Sequence, residues 1–245
     1  MKYMFYNCKE LKDISLVNLK TAEFPINILY TIYNIKNAEK IEFSIDLNNQ
    51  SDMLNMFYNC SSINKIDIYF GFINENIAIN MSNMFYNCYQ TQYIKFKKSI
   101  TLFNWYIWNF LNCSSLSKSD IHNEFLTDQA IDLNFLFYNC SSITILLKFS
   151  NSLTRNMKAT FQNCNSLNKL TFSEFHIPNA EKMWDMFKGS LISLQSDKID
   201  ISKVTDMESM FGRCSNLQTL SLNSFEASKV QYMKKYLIWI LEILP

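Results

Sequence analysis

With 245 residues, 48% of them apolar and 15% aromatic, the chain has ample material for a packed core, in one domain or two. Its 23 Lys plus Arg against 22 Asp plus Glu argue against a dedicated nucleic-acid binder, which normally shows a basic excess or stripe. Only three glycines occur against 29 asparagines, so folds built on Gly-rich phosphate loops or tight glycine hairpins lose ground, and Asn is suited to take over turn positions.

Met1–Cys8 shows no basic segment followed by a continuous apolar stretch, so no secretory leader is expected there. It does contain the phrase Phe5-Tyr-Asn-Cys8, which returns at Phe57–Cys60, Phe85–Cys88 and Phe137–Cys140. Variants stand at Phe110–Cys113, Phe161–Cys164 and Phe211–Cys214, and degenerate copies at Ile32–Ile35 and Phe187–Ser190. Aligned on the Cys position, the nine copies are spaced 27, 25, 28, 25, 27, 24, 26 and 24 residues, and all seven cysteines occupy that position.

Each unit has two halves with different apolar periods. Met53, Met56, Phe57, Cys60 and Ile63 lie at i, i+3, i+4, i+7 and i+10, which predicts a short helix; Ser51 and Asp52, or Thr205 and Asp206 in the last full unit, are its candidate N-caps. The pattern then tightens to Ile63-x-x-Ile66-x-Ile68, repeated as Leu11-x-x-Ile14-x-Leu16, Leu167-x-x-Leu170-x-Phe172 and Leu217-x-x-Leu220-x-Leu222, the alternation of a short half-buried strand.

Such units cannot bury their apolar stripes alone, whereas stacking lets each coil cover the next and pairs the strands into a parallel sheet. The expectation is an α/β leucine-rich-repeat solenoid of about nine coils over residues 1–231, a rod or shallow arc. Residues 232–245 form an apolar partial repeat or cap: Met233 aligns with Met207 and Ile240 with Cys214, and the segment is expected to be a helix folded over the last coil, or else a membrane-surface or oligomer contact. No run of about 20 apolar residues exists, so no transmembrane segment is expected.

The unit Val204–Phe225, with Asp52–Ile63 and Met81–Cys88, closely resembles the repeat of BspA-type leucine-rich-repeat surface proteins, the roughly 26-residue repeat of mycoplasma lipoprotein-associated domains. The resemblance covers essentially the whole chain. It implies surface display, adhesion or protein–protein contact, with a protein partner or surface ligand at the cell surface. It carries over no catalytic residue, so a noncatalytic module is expected, with an intracellular scaffold as the alternative and an enzyme a distant third.

The cysteines Cys8, Cys60, Cys88, Cys113, Cys140, Cys164 and Cys214 are expected to form a structural ladder of buried free thiols. Disulfides are disfavoured because stacked side chains have parallel Cβ vectors and seven is odd, and no C-x-x-C pair or zinc-spaced His suggests a metal. Sequons at Asn59, Asn80, Asn112 and Asn139 follow from the repeat phrase, and their Asn is expected to bond backbone at a turn. His122, at a strand end, and His176, in a turn, lack a nucleophile motif, so no catalytic site and no cofactor are expected.

Ligand contact is expected on the outward strand positions: Lys65, Asp67 and Tyr69; Tyr93, Lys95 and Lys97; Lys118, Asp120 and His122; Lys169, Thr171 and Ser173; and Thr219, Ser221 and Asn223. On the same face Ile145, Leu147 and Phe149 mark a sticky spot or a frame-shifted coil.

Overall fold

A computed structural model describes residues 1–19, 27–47, 52–73, 80–96, 100–101, 109–117, 125–126, 130–144, 149–150, 153–167, 169–171, 175–190, 193–195, 201–221 and 228–232. Its parallel strands are β1 (Asp13–Leu19), β2 (Lys40–Leu47), β3 (Lys65–Ile73), β4 (Tyr93–Phe96), β5 (Ile100–Thr101), β6 (Phe125–Leu126), β7 (Phe149–Ser150), β8 (Lys169–Thr171), β9 (Phe175–His176), β10 (Ser193–Gln195) and β11 (Thr219–Ser221). Strands β1 to β4 form one sheet in chain order, β8, β10 and β11 a second, and β5 pairs with β6 and β7 with β9. His176 thus lies in a strand, paired with Ser150, and not in a turn.

Pairing of each strand with its equivalent one repeat later is the topology a solenoid requires. In the first sheet Ile14, Ile41, Ile66 and Ile94 stand side by side and are buried, so the inward half of the predicted alternation holds.

The other half of the repeat differs from expectation. Among the described residues no α-helix is present, and the segments expected as helices are runs of overlapping turns. In the coil of Cys60 the N–H groups of Met56, Tyr58 and Cys60 donate to the carbonyls three residues back, on Met53, Asn55 and Phe57. The alternate N–H groups, on Met53, Asn55, Phe57 and Asn59, donate instead to Asn80, Ser82, Met84 and Tyr86 of the next coil, at 2.7–3.0 Å. The backbone is bonded half within its coil and half to its neighbour, whereas an α-helix keeps these bonds to itself.

Left-handed backbone at two positions per coil makes this possible. Asn55 and Asn59 have φ of 57° and 59°, and the residue before the Cys position has positive φ in all nine copies, at residues 7, 34, 59, 87, 112, 139, 163, 189 and 213. Seven of these are Asn and one is Gly, the residues that enter this region at least cost. Of the expected N-caps, Asp52 and Asp206 form Asx-turns, their carboxylates accepting from the N–H two residues on, at Leu54 and Glu208, each at 3.1 Å; Thr205 Oγ1 instead donates to the Glu181 carbonyl at 3.2 Å, and Ser51 lies outside the described residues.

Turns in place of helices change the packing. A helix about 10 Å wide cannot repeat at the 4.7–4.9 Å spacing of strands without splaying the coils. Here the turn side repeats almost as closely. Phe57, Phe85, Phe110, Phe137, Phe161, Phe187 and Phe211 stack with ring centroids 5.1–5.9 Å apart and planes within 9°. The Met residues four and seven positions before the Cys surround this stack at almost no exposure, as in Met53, Met56, Met207 and Met210. The spacing i, i+3, i+4, i+7 therefore reports burial on one side of a turn ribbon that imitates the helical period.

Phe137 is fully buried and stacks on Phe110 at 5.1 Å and Phe161 at 5.8 Å. Phe137→Ala is expected to cost about 3–5 kcal/mol in urea unfolding. A loss under about 1 kcal/mol would mean that the ring column contributes little.

Candidate functional site

Outward-facing positions of β1 to β4 form three rows across the first sheet. The first runs Asp13, Lys40, Lys65, Tyr93, the second Ser15, Glu42, Asp67, Lys95, and in the third Ser44 pairs with Tyr69. Five of the expected contact residues are thereby brought together on β3 and β4: Lys65, Asp67, Tyr69, Tyr93 and Lys95. Thr171 belongs to β8 in the separate three-stranded sheet. Lys97, Asp120 and His122 lie outside the described residues, as do Lys118, Ser173, Asn223, Ile145 and Leu147.

The rows are cross-linked by charge. Lys65 Nζ lies 3.0 Å from Asp67 Oδ2 and 5.3 Å from the centre of the Tyr93 ring. Lys40 hydrogen-bonds Glu42 at 2.5 Å, and that bond raises the Lys40 pKa above the ordinary lysine value. Tyr69 remains 42% exposed, whereas Asp67, expected as an outward contact position, is only 9% exposed. Its register neighbours are Glu42 on β2 and Lys95 on β4. A notch of about 110 Å³ opens beside it, lined by Val17, Glu42, Phe43, Ser44, Asp67 and Tyr69.

Lys40, Glu42 and Ser44 were missed in the sequence because their coil was not followed into the strand, and Val17 because only the inward positions of its strand were read. The signal was present. Lys40, Glu42 and Ser44 stand five, seven and nine residues after Ile35, as Lys65, Asp67 and Tyr69 do after Cys60.

The turn side carries a second surface that sequence reasoning left out, although Tyr is part of the repeated phrase. Tyr6, Tyr33, Tyr58 and Tyr86 stack at 4.6–5.1 Å with planes within 9°. Tyr3 and Tyr30 form a parallel pair at 5.2 Å beside them. Burial, and then the neighbouring tyrosines, raise the Tyr33 and Tyr58 pKa values.

Of the sequon residues, Asn80 bonds backbone as expected, accepting from the Ser82 N–H at 3.1 Å, whereas the Asn of the Phe-Tyr-Asn-Cys phrase bonds to its equivalent. Asn59 Nδ2 donates to Asn34 Oδ1 at 2.6 Å, Asn112 to Asn87 at 2.8 Å, Asn139 to Asn112 at 2.8 Å and Asn163 to Asn139 at 2.7 Å. The carboxamides of sequon residues Asn59, Asn112 and Asn139 are thus held in structural bonds. Where the phrase has Gly189, Asn163 Oδ1 fills the space a Cβ would need, at 2.6 Å.

The cysteines take up an equally regular position. Cys60, Cys88, Cys113, Cys140, Cys164 and Cys214 are buried and free, and each S–H donates to the carbonyl three residues before the Cys position of the preceding coil, at 2.9–3.1 Å. In the degenerate copy Ser190 Oγ makes the same bond, to Phe161, at 2.6 Å. Cys8, in the first coil, is exposed, against the expectation that it is buried with the others. Burial raises all six buried thiol pKa values: Cys60, Cys88 and Cys140 lie well above the ordinary range, and Cys214 is pushed up to about 11. Among the described residues no three ligating side chains converge on a metal position, and no helix is long and apolar enough to cross a membrane.

Parallel strands recurring once per 24 to 28 residues, with a shared apolar column and an exposed sheet face, define a leucine-rich-repeat protein. Comparison with family models makes this specific: the BspA type leucine rich repeat region, in six copies, matches residues 1–133 and 83–184. The chain belongs to this BspA-type family. Residues 192–238 match the family described as Mycoplasma protein of unknown function, DUF285. Searches of curated proteins and of solved structures return no match.

In native protein at pH 8 only Cys8 should react rapidly with a disulfide reagent such as DTNB, and seven thiols should react after denaturation. The pH dependence has a definite sign. An unfolded thiol ionises near pH 8.5 and the buried ones higher, so their contribution is complete below about pH 8. It declines as pH rises toward the folded values, by up to about 1.4 kcal/mol per pH unit for each thiol. Urea stability measured from pH 7 to 10.5 should fall accordingly, and a flat profile would contradict burial of the ladder.

Proposed function

We propose that this chain is a noncatalytic adhesion or protein-interaction module, displayed at a surface, that binds its partner through the outward face of the parallel sheet. The observation that carries this is the clustering of Lys65, Asp67, Tyr69, Tyr93 and Lys95 on two adjacent strands. Aromatic residues set among charged ones are the composition of protein contact surfaces. The BspA-type repeat supports an interaction role in general terms. The interior repeats the same side chains from coil to coil, whereas the outward positions change from strand to strand, so that is where a particular partner can be distinguished.

A second reading has an observation of its own. Six buried free thiols suit a reducing compartment, as an intracellular scaffold with the same binding face would occupy, or equally an anaerobic exterior.

Two measurements test these readings. Protease shaving of intact producing cells, followed by mass spectrometry, should release peptides of this chain; recovery only after lysis would favour the scaffold. A photo-crosslinking residue placed at Tyr69 or Tyr93 should capture a partner, while the same residue at Tyr33 should not. Capture from Tyr33 alone would move binding to the turn side.

A further inference from the structure

Among the described residues, the coil of Cys8 has an outer face on which no other coil is stacked. Met1, Met4 and Cys8 hold the positions of the fully buried Met53, Met56 and Cys60, yet Met1 is 36% exposed, Met4 53% exposed and Cys8 exposed with them. Phe5 and Leu11 are only partly buried. The polarity of the stack specifies what fits there. In later coils alternate carbonyls accept from the coil before, as Leu54, Met56 and Tyr58 accept from the N–H groups of Tyr30, Ile32 and Asn34. The equivalent carbonyls of Lys2, Met4 and Tyr6 accept no backbone N–H among the described residues. Cys8 likewise lacks the carbonyl of a preceding coil that the buried thiols use, and its S–H reaches only Tyr6 of its own coil, at 4.0 Å. The face has no turn-side N–H of its own to offer: those of Tyr3, Phe5 and Asn7 donate to the next coil, and those of Met4, Tyr6 and Cys8 donate within the coil. Two such faces are therefore not complementary to each other.

The complementary surface is the far side of a coil, where alternate N–H groups point onward, and the other end of the chain carries the sequence for one. Tyr232 joins the stack in the register of Lys182 and Asp206: it bridges to Asp206 and accepts from the Met207 N–H at 3.0 Å. The residues after it keep the repeat's inward positions apolar, with Met233 at the place of Met207, Leu237 at that of Phe211 and Ile240 at that of Cys214. Nine coil spacings, roughly 43 Å, separate this register from the coil of Cys8. Residues 233–245 reach about 44 Å fully extended, which leaves nothing to lie across the first coil of the same molecule. We propose that the open face of the Cys8 coil receives residues 233–240 of a second copy, joining copies head to tail. The N–H groups of Lys235, Leu237 and Trp239 then supply the carbonyls of Lys2, Met4 and Tyr6, and the Leu237 carbonyl gives the Cys8 S–H its acceptor. A contact of this kind is heterologous and repeats from copy to copy, so it builds an open chain of molecules. It does not depend on the sheet face being the binding surface.

The test is the mass of the full chain in sedimentation, from about 1 to about 100 µM, the range of modest interface affinities. Mass should rise with concentration past that of a dimer. Reaction of Cys8 with DTNB, fast in dilute protein, should slow in parallel. Met4→Glu, on the open face, and Leu237→Glu, in the tail, should each weaken association at least tenfold, with circular dichroism as the check that both variants fold. Mixed in equal amounts they should form a dimer and nothing larger, since one keeps its tail and the other its face. A second measurement needs neither variant. Ile240→Cys places a thiol one coil from Cys8 of the next copy, and a short bismaleimide should join the two into a ladder of dimers, trimers and longer chains. Three results overturn the proposal: a chain that stays monomeric at about 100 µM, association that both folded charge variants leave unchanged, or Cys8-to-Cys8 cross-links that stop at dimers in the unsubstituted chain.

Discussion

Alternate N–H groups on the turn side of each coil bond to the coil beyond, and nearly everything else in the molecule follows from that division. It fixes the separation of coils on the turn side near the value that strand pairing fixes on the sheet side. A column of identical residues can then be continuous on both. Planar rings about 5–6 Å apart and nearly parallel form a continuous stack, and seven Phe residues do so. The same spacing lets an Asn carboxamide donate to its equivalent and accept from the next. A helix in that half of the repeat would satisfy its backbone internally and push the coils apart.

Degenerate copies show what each position requires. Ser190 replaces the thiol and makes the same bond to the preceding coil, so a hydroxyl can stand in for the S–H there. Gly189 replaces Asn and keeps the positive φ, at 71°, so backbone conformation is retained where the amide ladder is interrupted. Ile35 replaces the first internal Cys and is fully buried, keeping the volume without the donor. Backbone conformation is thus kept in both copies, with positive φ at Asn34 and Gly189, and side-chain hydrogen-bonding groups are exchanged more freely.

An interior built from repeated columns leaves the outward rows of the sheet free to differ from coil to coil. On β1 to β4 those rows combine Lys–carboxylate pairs, two tyrosines and one acidic notch, while the turn side of the same coils shows a regular tyrosine ribbon. The two faces differ in character. In the ribbon, ring faces are covered by other rings, and stacking holds the tyrosines together. On the sheet, Tyr69 is open to solvent beside the largely buried Asp67 carboxylate and its Lys65 partner.

The repeat, its register, its parallel strands and its inward columns were legible in the sequence because they depend on periodicity, which a chain displays without folding. The Phe-Tyr-Asn-Cys phrase located the positions that the buried ring, thiol and Asn columns occupy, and Ile63-x-x-Ile66-x-Ile68 located the strand. Whether an apolar stripe at i, i+3, i+4 and i+7 is a helix or a ribbon of turns was not legible, since both bury the same positions. That choice belongs to tertiary structure, because half of the ribbon's backbone bonds are made to another coil some 25 residues away. The burial of Asp67 and the notch beside it were likewise decided only in three dimensions. They arise from β1, β2 and β3 lying side by side, and each strand read alone shows only an alternating charged row.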